Sequence, residues 1–237
     1  MKLLAIETST EACSVALWID DQCRERFEIA PRRHTELVLP WADALLADAG
    51  IAKSSLDAIA VGRGPGAFTG VRLAVALAQG LALALDKPVV AVSTLAALAL
   101  QASVFTEASG DNSGVMAAID ARMGELYLGL FERDAEQLLR PLRDEWMARP
   151  DAVEKPAGKH WYGVGSGFDA TEGTLRAVMA ESLLQCDGKA LPHAADIARL
   201  AVLAWHRGEA IAPELLAPAY LRDKVALTLA EQGRAVR

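Results

Sequence analysis

Two stretches of this chain, 113 residues apart, open in the same way: Ala5-Ile6-Glu7 and Ala118-Ile119-Asp120 each close an apolar run on a carboxylate. Behind the first come the polar Thr8-Ser9-Thr10 and a segment in which Cys13, Val15, Leu17 and Ile19 alternate with Ser14, Ala16, Trp18 and Asp20. Behind the second, Leu126, Leu128 and Leu130 stand where Cys13, Val15 and Leu17 stand. Each copy reads as strand, polar turn, strand. The chain therefore reads as an internal repeat of one α/β unit.

That pattern carries a chemical expectation. Backbone N–H groups of such a turn point at anionic oxygens, hydroxyls add donors, and an acid at the strand end can hold Mg²⁺ through water. The candidates for a nucleotide phosphate are Glu7, Thr8, Ser9 and Thr10 in the first copy, with Asp120 and Arg122 in the second. The alternative is that these residues only cap strand ends, and the pattern leaves both open.

Between the copies, further elements are legible. A third strand is expected around Cys23–Ile29, and a helix over Thr35–Ala49 closed by Gly50. Ala58–Val61 reads as a buried strand, Thr69–Leu85 as a helix with Thr69 as its N-cap, and Val89–Val92 as a strand before a helix from Thr94. Pro88–Thr106 has no charged residue and a bilayer-like length, but its β-rich start and its Ser93, Thr94, Gln101 and Ser103 favour a buried strand and helix. The polar stretch Thr106–Gly114 is the linker expected between the halves. Beyond it, Leu138–Trp146 is read as a strand, Trp161–Gly165 as a strand leading into a glycine turn, and Asp169–Ala180 and Ala194–His206 as helices. The expected division is 1–106 and 115–222, with a helix at 194–208 free to pack back on the first half and a tail at 223–237.

The densest signal is Gly62-Arg63-Gly64-Pro65-Gly66-Ala67-Phe68-Thr69-Gly70-Val71-Arg72. It is neither a dinucleotide fingerprint nor a P-loop, because position 69 is Thr and no Lys-Ser/Thr pair follows. The helix start can still attract an anion through its N–H groups, helped by Arg63 and Arg72. The helix behind it has Gln79 as its one polar residue from Leu73 to Leu85. A helix apolar all round must be covered all round, either within the chain or by a second subunit.

Composition limits the remaining readings. Apolar residues at 52% and charged residues at 23% describe a chain able to bury a core. A net charge of −7 speaks against holding nucleic acid alone by phosphate neutralisation. Cys13, Cys23 and Cys186 form no CxxC pair, so they read as free thiols in a reducing compartment. Glu7 interrupts the apolar N-terminus before an export signal reaches its usual length. His34, His160, His193 and His206 offer no metal-ligand spacing, and Gly163-Val164-Gly165-Ser166-Gly167 is not a nucleophile elbow. His34 reads as the side chain at a helix start rather than as a ligand. No metal site and no catalytic residue are expected.

The segments Leu4-Ala5-Ile6-Glu7-Thr8-Ser9, Arg33-His34-Thr35-Glu36, Gly62–Arg72, Ala118-Ile119-Asp120-Ala121-Arg122 and Pro218-Ala219-Tyr220-Leu221-Arg222 together resemble the TsaB (YeaZ) family. The resemblance runs in order over essentially the whole chain. It implies an α/β fold of two tandem actin-like ATPase (ribonuclease H-like) subdomains, each a mixed sheet with helices, in the glycoprotease-like lineage. It also implies a cytoplasmic, non-catalytic subunit that pairs with TsaD, with TsaE joining, to make threonylcarbamoyladenosine in tRNAs reading ANN codons. The tRNA would be held by the complex, and the chain would form a homodimer when alone. The family's subunit surface carries over to Phe68, Thr69, Arg72, Val75, Ala76 and Gln79, and to His34 and Leu37. No cofactor is required of this chain on that reading, and ATP or ADP with Mg²⁺ would bind weakly at most, since Glu7 stands where nucleotide-using relatives have Asp. Two enzyme readings stand beside it: a small actin-fold ATP-dependent kinase using Asp120, and a glycoprotease-like peptidase.

Overall fold

The computed structural model describes residues 1–102, 113–133, 139–154, 156 and 159–222. The first half begins with strands β1 (Lys2–Glu7), β2 (Ala12–Ile19) and β3 (Gln22–Ile29), helix α1 (His34–Asp48), strand β4 (Ala58–Gly62), helix α2 (Phe68–Leu85) and strand β5 (Val89–Val92). Helix α3 (Thr94–Leu100) follows, started by Ser93, whose hydroxyl accepts the Ala96 N–H at 3.0 Å. The second half holds β6 (Ser113–Arg122), β7 (Glu125–Arg133), β8 (Leu139–Pro141), β9 (Trp146–Ala148), β10 (His160–Val164), α4 (Thr174–Met179), β11 (Leu183–Asp187) and α5 (Ala194–His206).

The repeat is present in the sheets themselves. The first has the order β3-β2-β1-β4-β5 and the second β11-β10-β6-β7-β8, so β1 and β6 hold matching places. Each pairs antiparallel with the strand that follows it and parallel with a later one on its other side. The central strands β1 and β4 are buried on both faces, which is why they read as continuous apolar runs.

Alternation along those strands decides what covers each face. Leu4, Ile6, Ile59 and Val61 meet α1 and α2 in one core. On the other face, Ala5, Ala16, Ala58 and Ala60 meet Ala194, Ala198 and Ala201 of α5, small against small, so this late helix lies on the first sheet. In turn α3 packs Leu95 and Leu98 on Val115, Ala117 and Ile119 of β6, while its Ala97 stays in the core between the first sheet and α5. Helix α2, although apolar and long enough by composition to cross a bilayer, buries Val71, Ala74, Val75, Ala78 and Ala82.

Several sequence expectations need correction. Thr69 is not the N-cap of α2; Ala67 holds that place and no side chain caps the helix. Ser113 and Gly114 belong to β6 rather than to a linker, and residues 106–112 of that stretch lie outside the described residues. The strand expected over Leu138–Trp146 is two short strands, β8 and β9, both paired with β7. The helix expected over Asp169–Ala180 is only α4, because Thr171, Glu172 and Gly173 take positive φ and break the path. Strand β11 was not legible: it is a short, half-exposed edge strand without alternation. The 223–237 tail lies outside the described residues.

Candidate functional site

The two halves enclose a cleft of about 830 Å³. The β1–β2 turn brings Ser9 and Thr10 to it, the start of α1 brings His34, and the start of α2 brings Phe68 and Thr69. From the second half come Asp120, Arg122 and Ser166, and the segment Ala219–Arg222 lines it as well. Residues drawn from both copies of the repeat therefore share one site.

The glycine-rich loop does not cradle a ligand with its glycines; it lies on the β1–β2 turn. A Cβ at Gly62 would overlap the Glu7 carboxylate, one at Gly66 would sit 2.5 Å from the Ser9 carbonyl oxygen, and one at Gly70 would overlap the Thr8 carbonyl oxygen. The Ala67 N–H donates to the Ser9 carbonyl at 2.7 Å, and the Thr8 hydroxyl donates to the Gly70 carbonyl at 2.8 Å. Three glycines four residues apart thus serve close backbone approach.

This contact corrects the expectation for Glu7 and Thr8. Glu7 is 1% exposed and lies outside the cleft lining. Its Oε1 accepts the Ser9 N–H at 2.6 Å and its Oε2 accepts the Thr94 hydroxyl at 3.1 Å. Burial pushes its carboxyl above the usual range, against the pull of those hydrogen bonds. Sealed in this way, Glu7 ties β1 to α3 and does not reach a cation in the cleft. Thr8 is equally buried.

Ser9 behaves differently. Its residue is fully buried and borders the cleft, and its hydroxyl acts on the Glu7 carboxyl, helping to hold it down against burial. Beside it the α2 N-terminus presents the N–H groups of Phe68, Thr69 and Gly70, for which the described residues offer no acceptor. Free helix N–H groups that border a cleft suit an oxyanion.

In the second copy the strand does not stop at the acid. β6 continues to Arg122 through a register shift. The Asp120 carboxylate accepts the Arg122 N–H at 2.8 Å and pairs with the Arg122 guanidinium at 2.9 Å. The Asp120 N–H donates to Ser166 Oγ at 3.2 Å, at a turn where Gly165 has φ of +105°. Ser166 was missed in the sequence, although its Gly-Ser-Gly setting after an apolar strand marked it. His34 Nε2 lies 3.1 Å from the carbonyls of both Thr10 and Ala12, so this nitrogen carries the proton and pins the turn.

The predicted subunit surface divides into exposed and inward residues. Phe68 is 49% exposed, and Thr69, Arg72 and Ala76 are exposed with it. Arg72, Ala76, Gly80 and Ala84 follow at helical i, i+4 spacing, flanked by Leu83 at 55%. Val75 points into the core at 5% exposure and offers no surface. Gln79 is committed internally, its amide donating to the carbonyls of Pro213 and Leu216. Leu37 is half-buried against the first core. Gly80, Leu83 and Ala84 were not among the predicted residues.

Residues 28–229 match the family model described as TsaD, tRNA N6-adenosine threonylcarbamoyltransferase. The tRNA threonylcarbamoyladenosine biosynthesis protein TsaB of Escherichia coli is 39% identical over 230 residues, 95% of this chain and 96% of its own. The protein of that name from Bacillus subtilis is 33% identical, with 94% of each chain covered. Among solved structures, YeaZ from Pseudomonas aeruginosa superposes with a TM-score of 0.80 at 43% identity, covering 93% of this chain and 99% of that one.

Proposed function

The chain belongs to the TsaB family of tRNA threonylcarbamoyladenosine biosynthesis proteins, and from that premise we propose that it is the non-catalytic partner that activates TsaD on tRNAs reading ANN codons. The observation that carries this reading is the exposed ridge of α2. An 18-residue helix leaves Phe68, Ala76 and Leu83 in solvent while its opposite side is buried. Exposed apolar area of this kind is worth about 25 cal/mol per Å² on burial and marks a docking surface. The occupant of that surface is TsaD in the working complex and a second copy of this chain in its absence. TsaE then joins the pair in the cytoplasm, and the complex, not this acidic chain alone, holds tRNA.

The cleft is the place for any nucleotide. Ser9, Thr10 and the α2 N-terminus suit the phosphates of ATP or ADP, and such a ligand would supply negative charge rather than chemistry of its own. Glu7 does not fit the part of a Mg²⁺ anchor, because it is sealed beneath the turn. Binding is accordingly weak. The reading is tested by reconstituting tRNA threonylcarbamoylation from purified TsaD and TsaE with and without this chain. Product should form only with it.

A further inference from the structure

The segment Ala219–Arg222 is bonded to both halves of the molecule. At one end the Ala219 N–H donates to the Arg63 carbonyl in the glycine-rich loop at 2.8 Å. At the other, the Arg222 guanidinium, whose side chain is 14% exposed, donates to the carbonyls of Ala121 at 3.1 Å and Arg122 at 3.3 Å and pairs with the Glu125 carboxylate at 2.7 Å. Between these anchors sits Tyr220, whose hydroxyl accepts the Arg72 Nε–H at 2.7 Å. The Arg72 guanidinium also lies 3.6 Å from the Phe68 ring centroid and 5.5 Å from that of Tyr220.

Arg72 and Phe68 form the N-terminal end of the α2 ridge. An exposed arginine free in solution loses rotamer freedom when a partner orders it, whereas one already held between two rings and a hydroxyl has lost that freedom beforehand. The hold on Arg72 depends on Tyr220, and the place of Tyr220 depends on Arg222, which is fixed on the β6–β7 turn of the other half.

We propose that Ala219–Arg222 is a positioning strap: Tyr220 and Arg222 preset Arg72 and Phe68 for the partner, so that affinity at the ridge is set in part from the second half of the molecule. The proposal rests on the reading of α2 as the docking surface. It makes Tyr220 and Arg222 positioning residues, acting through Arg72.

The test measures dissociation constants for purified TsaD with full-length Tyr220→Phe, Arg222→Gln, Arg72→Ala and Phe68→Ala, together with the double variant Arg72→Ala/Tyr220→Phe. Tyr220→Phe keeps the ring and removes only the hydroxyl, so its melting temperature should stay at the wild-type value. The expected result is a loss of affinity of roughly threefold to tenfold for each strap variant. In the Arg72→Ala background, Tyr220→Phe should have no further effect. Wild-type affinity in both strap variants, or additive losses in the double variant, overturns the strap while a weakened Arg72→Ala leaves the docking surface standing. Unchanged affinity in both Arg72→Ala and Phe68→Ala overturns the docking surface itself.

Discussion

Gly62 and Glu7 face each other so closely that position 62 has no room for a side chain: a Cβ there would overlap the Glu7 carboxylate. The carboxylate cannot retreat, since it is held by the Ser9 N–H and the Thr94 hydroxyl. Gly62→Ala is therefore expected to lower stability by about 1–3 kcal/mol, the usual cost of overpacking a close-packed interior. Chemical denaturation of the purified variant checks this, and an unchanged midpoint would show that the turn and the loop are not locked together.

Gly80 gives the opposite sign. A Cβ there meets nothing within 4 Å, and the residue lies inside a helix. Gly80→Ala should stabilise the isolated chain by about 0.5–1 kcal/mol through helix propensity. The same methyl group stands on the exposed ridge, so association with TsaD should weaken by about 1–3 kcal/mol of local overpacking. Melting and binding measurements on one preparation separate the two effects.

A pH dependence follows from the anchor of α5. Glu25 Oε2 lies 2.9 Å from His193 Nδ1, and Glu25 Oε1 accepts the Ser14 hydroxyl at 2.6 Å and the Ala195 N–H at 3.0 Å. Burial pushes the Glu25 carboxyl up, but the bonds from His193, Ser14 and Ala195 outweigh it and leave the carboxyl below its usual 4.5. The bond to Glu25 holds the His193 imidazole above its usual 6.5. Stability from the lowered acid is complete above pH 4.5 and lost as pH falls through its folded value; stability from the raised histidine is complete below pH 6.5 and lost as pH rises through its folded value. The stability difference between wild type and His193→Gln should thus peak between pH 4.5 and 6.5 and shrink on either side. A flat difference across that range contradicts the anchor.

Ser9 separates a ligand role from a structural one. Its hydroxyl is buried beside the Glu7 carboxyl and helps hold it down, so Ser9→Ala should lower stability by about 0.5–1.5 kcal/mol. If a nucleotide phosphate occupies the cleft, the same variant should weaken ADP binding by roughly fivefold, the worth of one hydrogen bond. Titration calorimetry beside a melting curve reads both.

The duplicated strand, turn and strand were legible because β1, β2, β6 and β7 are patterned by burial, and α5 because its apolar spacing is regular. Short-range signals failed where tertiary contact or backbone conformation overrode them. The helical periodicity of Asp169–Ala180 could not reveal the positive φ at Thr171 and Glu172 that confines α4 to Thr174–Met179. Ser9, Thr10, Asp120 and Arg122 line one cleft, and the repeat is what made that grouping readable in the sequence, while a nucleotide role for them is a proposal. The sequence could not show that Glu7 turns away to Thr94, 87 residues on, because that direction is set by the approach of Gly62. Val75 and Ala76 are neighbours in sequence, and only the lie of α2 on its sheet sends one inward and the other to solvent.

The most direct measurement of the central claim is tRNA threonylcarbamoylation by TsaD and TsaE supplied with either the wild-type chain or Ala76→Arg. Ala76 is exposed at the middle of the α2 ridge, away from the cleft lining, so the substitution adds bulk and charge to the docking face without disturbing the core. A docking role for α2 predicts a folded variant with wild-type melting that neither co-purifies with TsaD nor supports modification. Full modification with Ala76→Arg, at wild-type dependence on the concentration of this chain, would contradict it.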